Sequence, residues 1–567
     1  MEKTGKILAI FLLVFLFFVI FLAGIVNIIK NPSLDRGYTR VESANAFRGA
    51  LISADAFVLS VSERTYSVAY DGRFAKDKPL IAKLTALYLG KTEEQVTELL
   101  NRGARVYLAR DLPIERAKNL AHLSKELDRR GAFKSFTLNG ATVRYGLEIT
   151  PNETDARSYP YGDLAQPVLG YAQKIGGVGQ MGLERFYERE LRGERNGYFR
   201  ALRDAVGNLI YNEHLVFEPP RHGLSAQLTI DARLQLAMET IVDDAKAHSD
   251  AIEALACVMQ SDTGRVVALA TSNRYDAANI TAETLPNTRM NAVQYAFEPG
   301  SVMKPFILAL LLDNALIGRY DLVRGHNGRF TIGTETITDL IAREWFSAEN
   351  VVIYSSNIGI SQLAIKLAPY RLFDGLNSFG FSRLSGIDLP YEAAGELPQL
   401  TRYRSDIYRA TTGYGYGLTV NFMQLMKAYN VFNNDGKLVA PRLVDRLLGD
   451  KSPPNTFETQ QVISAATAET MLDILRKTVQ KGSAKQAQID GIFTAGKTGT
   501  AHIAFQGGYK DDYHNSFFGF ANDGDRRYTI GILIIDPKQS HFASQTAAPI
   551  FAQTVHLLAR QNMLEIK

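Results

Sequence analysis

The chain has 567 residues, of which 46% are hydrophobic and 22% charged, a composition typical of a packed globular body of roughly three or four domains. Its 63 basic and 59 acidic residues leave a net charge of +4, which is too balanced to indicate a nucleic-acid-binding protein. The single cysteine, Cys257, excludes an intramolecular disulfide. The nine histidines form no H-x-x-x-H motif or Cys/His cluster, so the sequence predicts no metal site.

An N-terminal apolar run over residues 7–29 predicts one membrane-spanning helix. All of its residues except Ala9, Ala23, Gly24 and Asn27 are Leu, Ile, Val or Phe. At 1.5 Å per residue the run extends roughly 34 Å, enough to cross a hydrocarbon core of about 30 Å. It is longer than the apolar part of a cleavable signal peptide, so we interpret it as an uncleaved anchor. Lysines and arginines are nearly balanced on its two sides, and charge alone leaves the orientation open.

The region from 31 to 225 predicts a mixed domain of strands and helices. Alternating patterns at 56–61 and 66–69 are typical of strands, and 80–130 has the helical spacing of several short amphipathic helices. The stretch 177–182 matches the dinucleotide-binding G-x-G-x-x-G pattern, but no β-branched strand precedes it. We therefore interpret it as a glycine turn.

The remainder, from about 226, has an α+β pattern, in which helices accompany an antiparallel sheet. Asp231 is a plausible N-cap for a helix over 232–247, and the runs 254–259 and 265–270 predict a β-hairpin. The later predicted elements are strands at 501–505, 517–521 and 528–535 and an amphipathic helix at 544–563.

A serine and a lysine three residues apart, Ser301 and Lys304, open an apolar helical run over 302–317. On a helix they share one face, where a desolvated amine can take the proton of a serine hydroxyl. An isolated S-x-x-K is more often a helix cap beside a surface lysine. The motifs that follow it decide between the two interpretations.

Two further motifs follow in order, Ser355-Ser356-Asn357 (S-x-N) and Lys497-Thr498-Gly499 (K-T-G). S-x-N also occurs at 43–45 and K-T-G at 3–5, but only this ordered set follows the S-x-x-K. The ordered set is the pattern of penicillin-recognising serine enzymes.

Acyl transfer explains the residue types, because it needs a nucleophile, a base, a proton route and an oxyanion site. We expect Ser301 to attack, a neutral Lys304 to act as base and Ser355 to relay the proton. Asn357 would hold a substrate amide and orient Lys304. The stretch from Lys497 to Thr500 predicts a strand at the edge of the cleft. We expect Lys497, Thr498 and Thr500 to bind a substrate carboxylate and Gly499 to permit close backbone approach. The backbone N–H groups of Ser301 and Thr500 are expected to form the oxyanion hole.

The chain resembles the class B penicillin-binding proteins, which are membrane-anchored peptidoglycan D,D-transpeptidases. The likeness covers nearly the whole chain and includes, besides the three motifs, Arg48-Gly49-x-x-Ile52, Arg157-x-Tyr159-Pro160, Gly182-Leu183-Glu184, Leu228-Thr229-Ile230-Asp231, Phe297-Glu298-Pro299-Gly300-Ser301, Gly413-Tyr414-Gly415 and Asp435-Gly436.

The resemblance implies an architecture with four parts. They are a short cytoplasmic tail (1–6), a transmembrane anchor (7–29), an elongated non-catalytic pedestal (31–225) and a β-lactamase/transpeptidase-like domain (226–567) in which helices flank an antiparallel sheet. It also implies a single-pass protein of the bacterial inner membrane, with its catalytic body in the periplasm.

The implied reaction crosslinks peptidoglycan stem peptides through an acyl-enzyme on Ser301, and β-lactams would acylate the same serine. No metal or organic cofactor is implied. Glycosyltransferase motifs are absent from residues 31–225, so glycan polymerisation is expected from a separate membrane glycosyltransferase, alongside other divisome proteins.

The chain departs from the family pattern in two places. A D-R-x-G stretch is degenerate at Ser53-Ala54-Asp55-Ala56, and Gly482-Ser483-Ala484 replaces the usual G-T-A. The F-E-P-G-S box and the compact body favour a septal enzyme over an elongation enzyme. A β-lactam sensor, a hydrolase (carboxypeptidase or β-lactamase) and an inactive division scaffold remain alternatives. One span, a short tail and intact motifs weigh against them.

Overall fold

The computed structural model describes residues 2–30, 39–138, 141–152, 156–173, 177–203, 209–210, 216–333, 335–449, 458–505 and 508–566. Its α-helices are α1 (Glu2–Lys30), α2 (Lys78–Leu89), α3 (Glu93–Asn101), α4 (Ile114–Arg129), α5 (Gly182–Phe186), α6 (Glu188–Leu191), α7 (Ala232–Ser249), α8 (Asn291–Gln294), α9 (Lys304–Asp313), α10 (Ala348–Ile353), α11 (Asn357–Lys366), α12 (Pro369–Ser378), α13 (Asp406–Gly413), α14 (Phe422–Asn433), α15 (Ala465–Lys481) and α16 (Ala547–Arg560).

Its strands are β1 (Thr39–Ala44), β2 (Leu51–Ile52), β3 (Val58–Glu63), β4 (Thr65–Asp71), β5 (Arg105–Pro113), β6 (Ser135–Leu138), β7 (Ala141–Arg144), β8 (Glu148–Pro151), β9 (Ala156–Ser158), β10 (Gly197–Arg203), β11 (Leu209–Ile210), β12 (Val216–Glu218), β13 (Ser225–Leu228), β14 (Glu253–Gln260), β15 (Val266–Thr271), β16 (Ala296–Phe297), β17 (Leu322–Arg324), β18 (Arg329–Ile332), β19 (Glu335–Thr338), β20 (Trp345–Ser347), β21 (Val420–Asn421), β22 (Lys437–Val439), β23 (Val444–Leu448), β24 (Thr459–Gln461), β25 (Phe493–Phe505), β26 (Gly508–Asn522) and β27 (Arg527–Ile535).

The smaller of two compact units consists of residues 1–47 and 193–223. In it, strand β10 pairs with β1, β11 and β12 in an antiparallel sheet. Helix α1 contains the predicted anchor, and its segment Gly5–Asn27 is long and apolar enough to cross a membrane. None of the side chains of this segment is buried, which suits a lipid-facing helix.

The larger unit, residues 48–192 and 224–567, contains the sheet β23-β13-β2-β3-β9 and, after it, the sheet β5-β4-β8. Helices α2, α3 and α4 pack against one another and against this sheet around a core that includes Val68, Leu100 and Leu120. The prediction of helices throughout 80–130 is wrong for residues 105–113, which form β5. In β5, Leu108 and Leu112 are buried and the strand pairs along β4, so sheet pairing overrides the local helical pattern.

The same unit contains an antiparallel sheet in the order β15-β14-β27-β26-β25. The predicted hairpin and the three later strands all belong to it, and β25, which contains the K-T-G motif, is its edge strand. Helices α7 and α16 pack on one face, whereas α14 and α15 pack on the other. Helices flanking an antiparallel sheet confirm the predicted α+β class.

Two predicted helices differ in their ends from the observed ones. The run from 302 begins as a 3₁₀ turn over Gly300–Met303, and its α-helix ends at Asp313. The C-terminal helix is Ala547–Arg560, shorter at both ends than the predicted 544–563.

Helix α9 is the centre of the larger apolar core. Its Phe306 ring is fully buried and lies 5.0–5.4 Å, between ring centroids, from Phe379, Phe381, Tyr429 and Phe432. These contacts fix α9 in position, and with it the turn that precedes the helix. The predicted boundary near residue 225, between the pedestal and the transpeptidase-like domain, stays a prediction. The division into two compact units does not test it.

Candidate active site

The S-x-x-K motif lies at the junction between the 3₁₀ turn and α9. Ser301 is half-buried in the turn, and Lys304 is the first residue of the helix. Side chains three residues apart eclipse each other on a 3₁₀ turn, so the two lie on one face. The turn is held by a hydrogen bond from Gly300 N to Gly415 O (3.0 Å) and by the Tyr429 hydroxyl, which donates to Val302 O (2.7 Å).

The Lys304 amine is fully buried and fully engaged. It lies within hydrogen-bond distance of Ser355 O (2.6 Å), Ser355 Oγ (3.1 Å) and Asn357 Oδ1 (2.7 Å). An ammonium group would donate to all three, whereas the neutral amine would donate to the two carbonyl oxygens and accept from the Ser355 hydroxyl. The predicted contact between Lys304 and the S-x-N motif is therefore present. Among the described residues, none hydrogen-bonds to the Ser301 hydroxyl, which leaves it available to attack.

Burial lowers the pKa of Lys304 well below its usual value, and the positive charge of Lys497 lowers it further. The carboxylate of Asp339 opposes both effects. The neutral amine that a general base requires is therefore favoured by the surroundings of Lys304.

A second buried lysine reaches the same hydroxyl from the sheet. Lys497, on β25, donates to Ser355 Oγ (3.0 Å) and to Thr498 O (3.0 Å). Its side chain is fully buried, and burial lowers its pKa to about 7. Ser355 Oγ therefore joins two amines, and a proton can pass through it from one side of the cleft to the other.

Ser355 has a left-handed backbone conformation, with φ of 59°, between α10 and α11. Such a conformation costs about 1–3 kcal/mol in a residue other than glycine and is typical of functional sites. It turns both the carbonyl and the hydroxyl of Ser355 toward Lys304. Ser356 then caps α11, accepting from Gly359 N (2.8 Å).

The K-T-G strand packs directly against the nucleophile turn. A Cβ atom on Gly499 would lie 2.8 Å from Val302 Cγ1 and 3.1 Å from Pro299 O, so only glycine fits there. The backbone of the nucleophile turn therefore lies close to Gly499, and the role of Gly499 toward the substrate stays a prediction. The Thr500 hydroxyl is within hydrogen-bond distance of Ala543 N (3.3 Å), so its side chain is partly engaged within the protein.

The structure adds two side chains that the sequence analysis did not assign. The Ser483 hydroxyl lies 3.1 Å from Thr498 Oγ1 and so fixes a predicted carboxylate-binding group. Ser483 replaces the threonine of the usual G-T-A and so keeps a hydroxyl at this position. This was the one feature of the sequence from which its role could have been predicted. Asp339 binds the S-x-N motif, and no pattern in the sequence linked it to that motif.

Motifs of the N-terminal region meet around one carboxylate. Glu184 is fully buried and accepts from Arg48 Nε (2.6 Å), Arg157 Nε (2.8 Å) and Ser60 Oγ (2.9 Å). The glycine turn precedes it, and Gly179 N donates to Glu188 Oε2 (2.8 Å). The turn thus has a structural role, as the sequence analysis proposed.

Two family models match the chain. The model of the penicillin-binding protein transpeptidase domain matches residues 254–556, and that of the penicillin-binding protein dimerisation domain matches residues 43–228. Together they cover the site and the N-terminal motifs described above.

Individual relatives agree with these models. The probable peptidoglycan D,D-transpeptidase PenA of Neisseria meningitidis is 27% identical over 93% of this chain and 86% of its own length. The penicillin-binding protein PbpB of Mycolicibacterium smegmatis is 30% identical over 73% of this chain and 66% of its own. Among solved structures, penicillin-binding protein 3 of Mycobacterium tuberculosis in complex with aztreonam aligns with a TM-score of 0.68 at 24% identity, covering 93% of this chain and 98% of that one.

Proposed function

The chain belongs to the class B penicillin-binding proteins, which are peptidoglycan D,D-transpeptidases, and from this premise we propose that it crosslinks stem peptides through an acyl-enzyme on Ser301. The observation that carries the proposal is the buried amine of Lys304, which Ser355 and Asn357 hold one turn after Ser301. Within the part of the chain that the structure describes, the Ser301 hydroxyl has no hydrogen-bond partner. A structural lysine would instead be expected to pair with a carboxylate.

In the first step, Ser301 Oγ attacks the carbonyl carbon between the two terminal D-alanines of a stem peptide, and its proton passes to Lys304. Negative charge develops on the carbonyl oxygen, which the backbone N–H groups of Ser301 and Thr500 stabilise. The C–N bond then breaks, and the proton travels through Ser355 to the leaving amine. D-Alanine departs, and an ester on Ser301 remains.

In the second step, an amine from a neighbouring stem peptide attacks the ester carbonyl. The ester bond breaks, the new amide forms, and Ser301 recovers its proton through the same lysine. The substrate carboxylate is bound by Lys497, Thr498 and Thr500, while Asn357 contacts the peptide backbone. A β-lactam undergoes only the first step, because its opened ring stays attached and its leaving amine cannot diffuse away.

The test is covalent labelling of the detergent-solubilised full chain by a fluorescent penicillin. Ser301→Ala is expected to abolish labelling, whereas the matched control Ser378→Ala, at the half-buried last residue of α12, is expected to label as the wild type does. Persistent labelling of Ser301→Ala would overturn the assignment of the nucleophile. Lys304→Ala is expected to lose acylation while its melting transition remains cooperative.

We further propose that α1 anchors the chain in the bacterial inner membrane, with the catalytic body in the periplasm where stem peptides are accessible. A separate membrane glycosyltransferase would supply the glycan strands, since residues 43–228 match the model of a dimerisation domain. Protease treatment of spheroplasts should digest the body and spare only a small N-terminal fragment. Protection of the body would contradict this orientation.

The F-E-P-G-S box supports a septal role, in association with other divisome proteins. Depletion of the protein in its own organism, followed by microscopy, distinguishes the two roles of the family. Filaments are the expected result, and rounded cells would assign the protein to elongation.

A further inference from the structure

Asp339 follows β19 at the end of an exposed hairpin, β18–β19, and reaches the S-x-N motif. Its Oδ1 accepts from Asn357 N (2.5 Å) and Ile358 N (3.1 Å), and its Oδ2 accepts from the hydroxyl of Ser356. One carboxylate thus receives two backbone N–H groups of the first turn of α11 and the side chain of its N-cap residue. A negative charge at this end also interacts favourably with the helix dipole.

The same segment contacts the motif at two other points. Thr338 O accepts from Asn357 Nδ2 (3.2 Å), which orients the amide so that its oxygen faces Lys304. The Arg343 guanidinium lies 4.3 Å from the ring centroid of Tyr354, the residue before the motif. Residues 338–343 therefore bracket the motif from both ends.

The motif needs such support because Ser355 holds a strained, left-handed conformation. Strain of this kind persists only where the surrounding contacts over-determine the backbone. Among the residues of the larger unit that the structure describes, Asp339 is the one carboxylate that accepts a hydrogen bond from the backbone of the motif, at Asn357 N. Loss of its hydrogen bonds would let the first turn of α11 relax and carry Asn357 away from Lys304.

We propose that Asp339 is a positioning residue of the transpeptidase reaction, which fixes Ser355 and Asn357 so that both bind the Lys304 amine. The proposal rests on the proposed function for its effect on rate. Asp339 touches neither the nucleophile nor the base, and it acts through Asn357 and the N-terminus of α11.

The charge of Asp339 has a second, smaller effect. The groups that face the Lys304 amine are Ser355 and Asn357 from the S-x-N motif, Lys497 from β25 and the carboxylate of Asp339. Removal of the Asp339 charge disfavours the ammonium form, so the pKa of Lys304 falls further. The acid limb of the pH profile of acylation should then move to lower pH.

The experiment compares Asp339→Ala and Asp339→Asn in the full chain. Asp523→Asn is the matched control, because Asp523 also accepts from backbone N–H groups (Asp525, Arg526 and Glu565) but lies at the turn between β26 and β27. The readouts are the second-order rate of acylation by a fluorescent penicillin between pH 5 and 9, thermal unfolding, and a crystal structure of each folded variant.

Asp339→Ala is expected to lose roughly tenfold to a hundredfold in acylation rate, by analogy with the loss seen when a hydrogen-bond partner that orients a metal ligand is removed. In its crystal structure the Lys304 Nζ–Asn357 Oδ1 separation should exceed hydrogen-bond distance, compared with 2.7 Å here. Asp339→Asn keeps one acceptor oxygen and should recover most of the rate, with its acid limb at lower pH than in the wild type. Asp523→Asn should change thermal unfolding alone.

Wild-type acylation rates in both Asp339 variants, with an unmoved acid limb, would overturn the proposal and leave the transpeptidase assignment intact. Failure of the wild type itself to be labelled would instead refute the proposed function. In that case the Lys304–Asn357 separation in the variant structure still decides whether Asp339 positions the motif. If Asp339→Ala does not fold, the pH profile and the crystal structure of Asp339→Asn decide whether Asp339 positions the motif.

Discussion

Replacement of Lys497 by methionine tests whether two buried lysines act on one hydroxyl. Lys304 Nζ and Lys497 Nζ lie 3.1 and 3.0 Å from Ser355 Oγ, so the two nitrogens are at most about 6 Å apart. Two unit charges at that distance repel each other by about 3 kcal/mol at an effective dielectric constant of about 20. This energy corresponds to roughly two pKa units.

Lys497→Met keeps the apolar stem and removes the charge, so the desolvation of Lys304 is nearly unchanged. The pKa of Lys304 should therefore rise, because the second cause of its lowering is gone. The acid limb of the acylation profile should move to higher pH by about one to two units. The maximal rate should also fall, since the proposed carboxylate-binding cation is lost.

The assay is stopped-flow acylation by a fluorescent penicillin from pH 5 to 10, with the full chain in detergent. Lys427→Met is the matched control, because burial also lowers the pKa of Lys427, on α14, but Arg383 and Glu392 are its charged neighbours. The control should leave the acid limb in place. An acid limb that is unmoved or lowered in Lys497→Met would refute the repulsion between the two amines.

Three further predictions concern stability and geometry. The pKa of Lys497 is about 7 in the folded protein against 10.5 for the ordinary side chain, so the unfolded chain binds more protons between these values. The buried Lys497 amine therefore lowers the stability of the folded protein. This cost is largest below pH 7 and disappears toward pH 10.5. Lys497→Met should consequently raise the free energy of unfolding at pH 6 by a few kcal/mol in urea titrations. Gly415→Ala should reduce the rate of acylation while the fold is retained. Gly415 has φ of 90°, and a Cβ atom there would lie 2.0 Å from the carbonyl oxygen of Gly300, the residue before the nucleophile. Acylation at the wild-type rate would contradict this prediction. Glu184→Gln should lower the free energy of unfolding by about 3–5 kcal/mol, because it removes the countercharge of the buried Arg157 side chain and one of the two carboxylates that pair with Arg48. An unchanged urea midpoint would show that the Glu184 charge is dispensable.

The sequence predicted those parts of the site that depend on residue type and order. Ser301, Lys304, Ser355, Asn357 and Lys497 were chosen as a set because acyl transfer needs their functional groups. The structure brings the last four together at Ser355 and places Ser301 one turn before Lys304. The strands of the catalytic sheet were predictable because they are apolar runs bounded by turn residues.

Contacts between distant segments could not be read from local patterns. Residues 105–113 form a strand because they pair with β4, although their neighbours on both sides are helical. Asp339 reaches the S-x-N motif across 17 residues or more through a hairpin whose position depends on the tertiary fold. Lys304 and Lys497 share the Ser355 hydroxyl, and this contact between distant segments likewise had no signal in the local sequence.

The most direct test of the account is to locate the acyl group after incubation of the full chain with benzylpenicillin. Because Pro305 follows Lys304, trypsin leaves Ser301 in the peptide 290–319. The account predicts that this peptide gains the full mass of the β-lactam, since ring opening releases no atoms, and that fragmentation places the adduct on Ser301. An adduct on another residue, or no adduct in a folded sample, would contradict it.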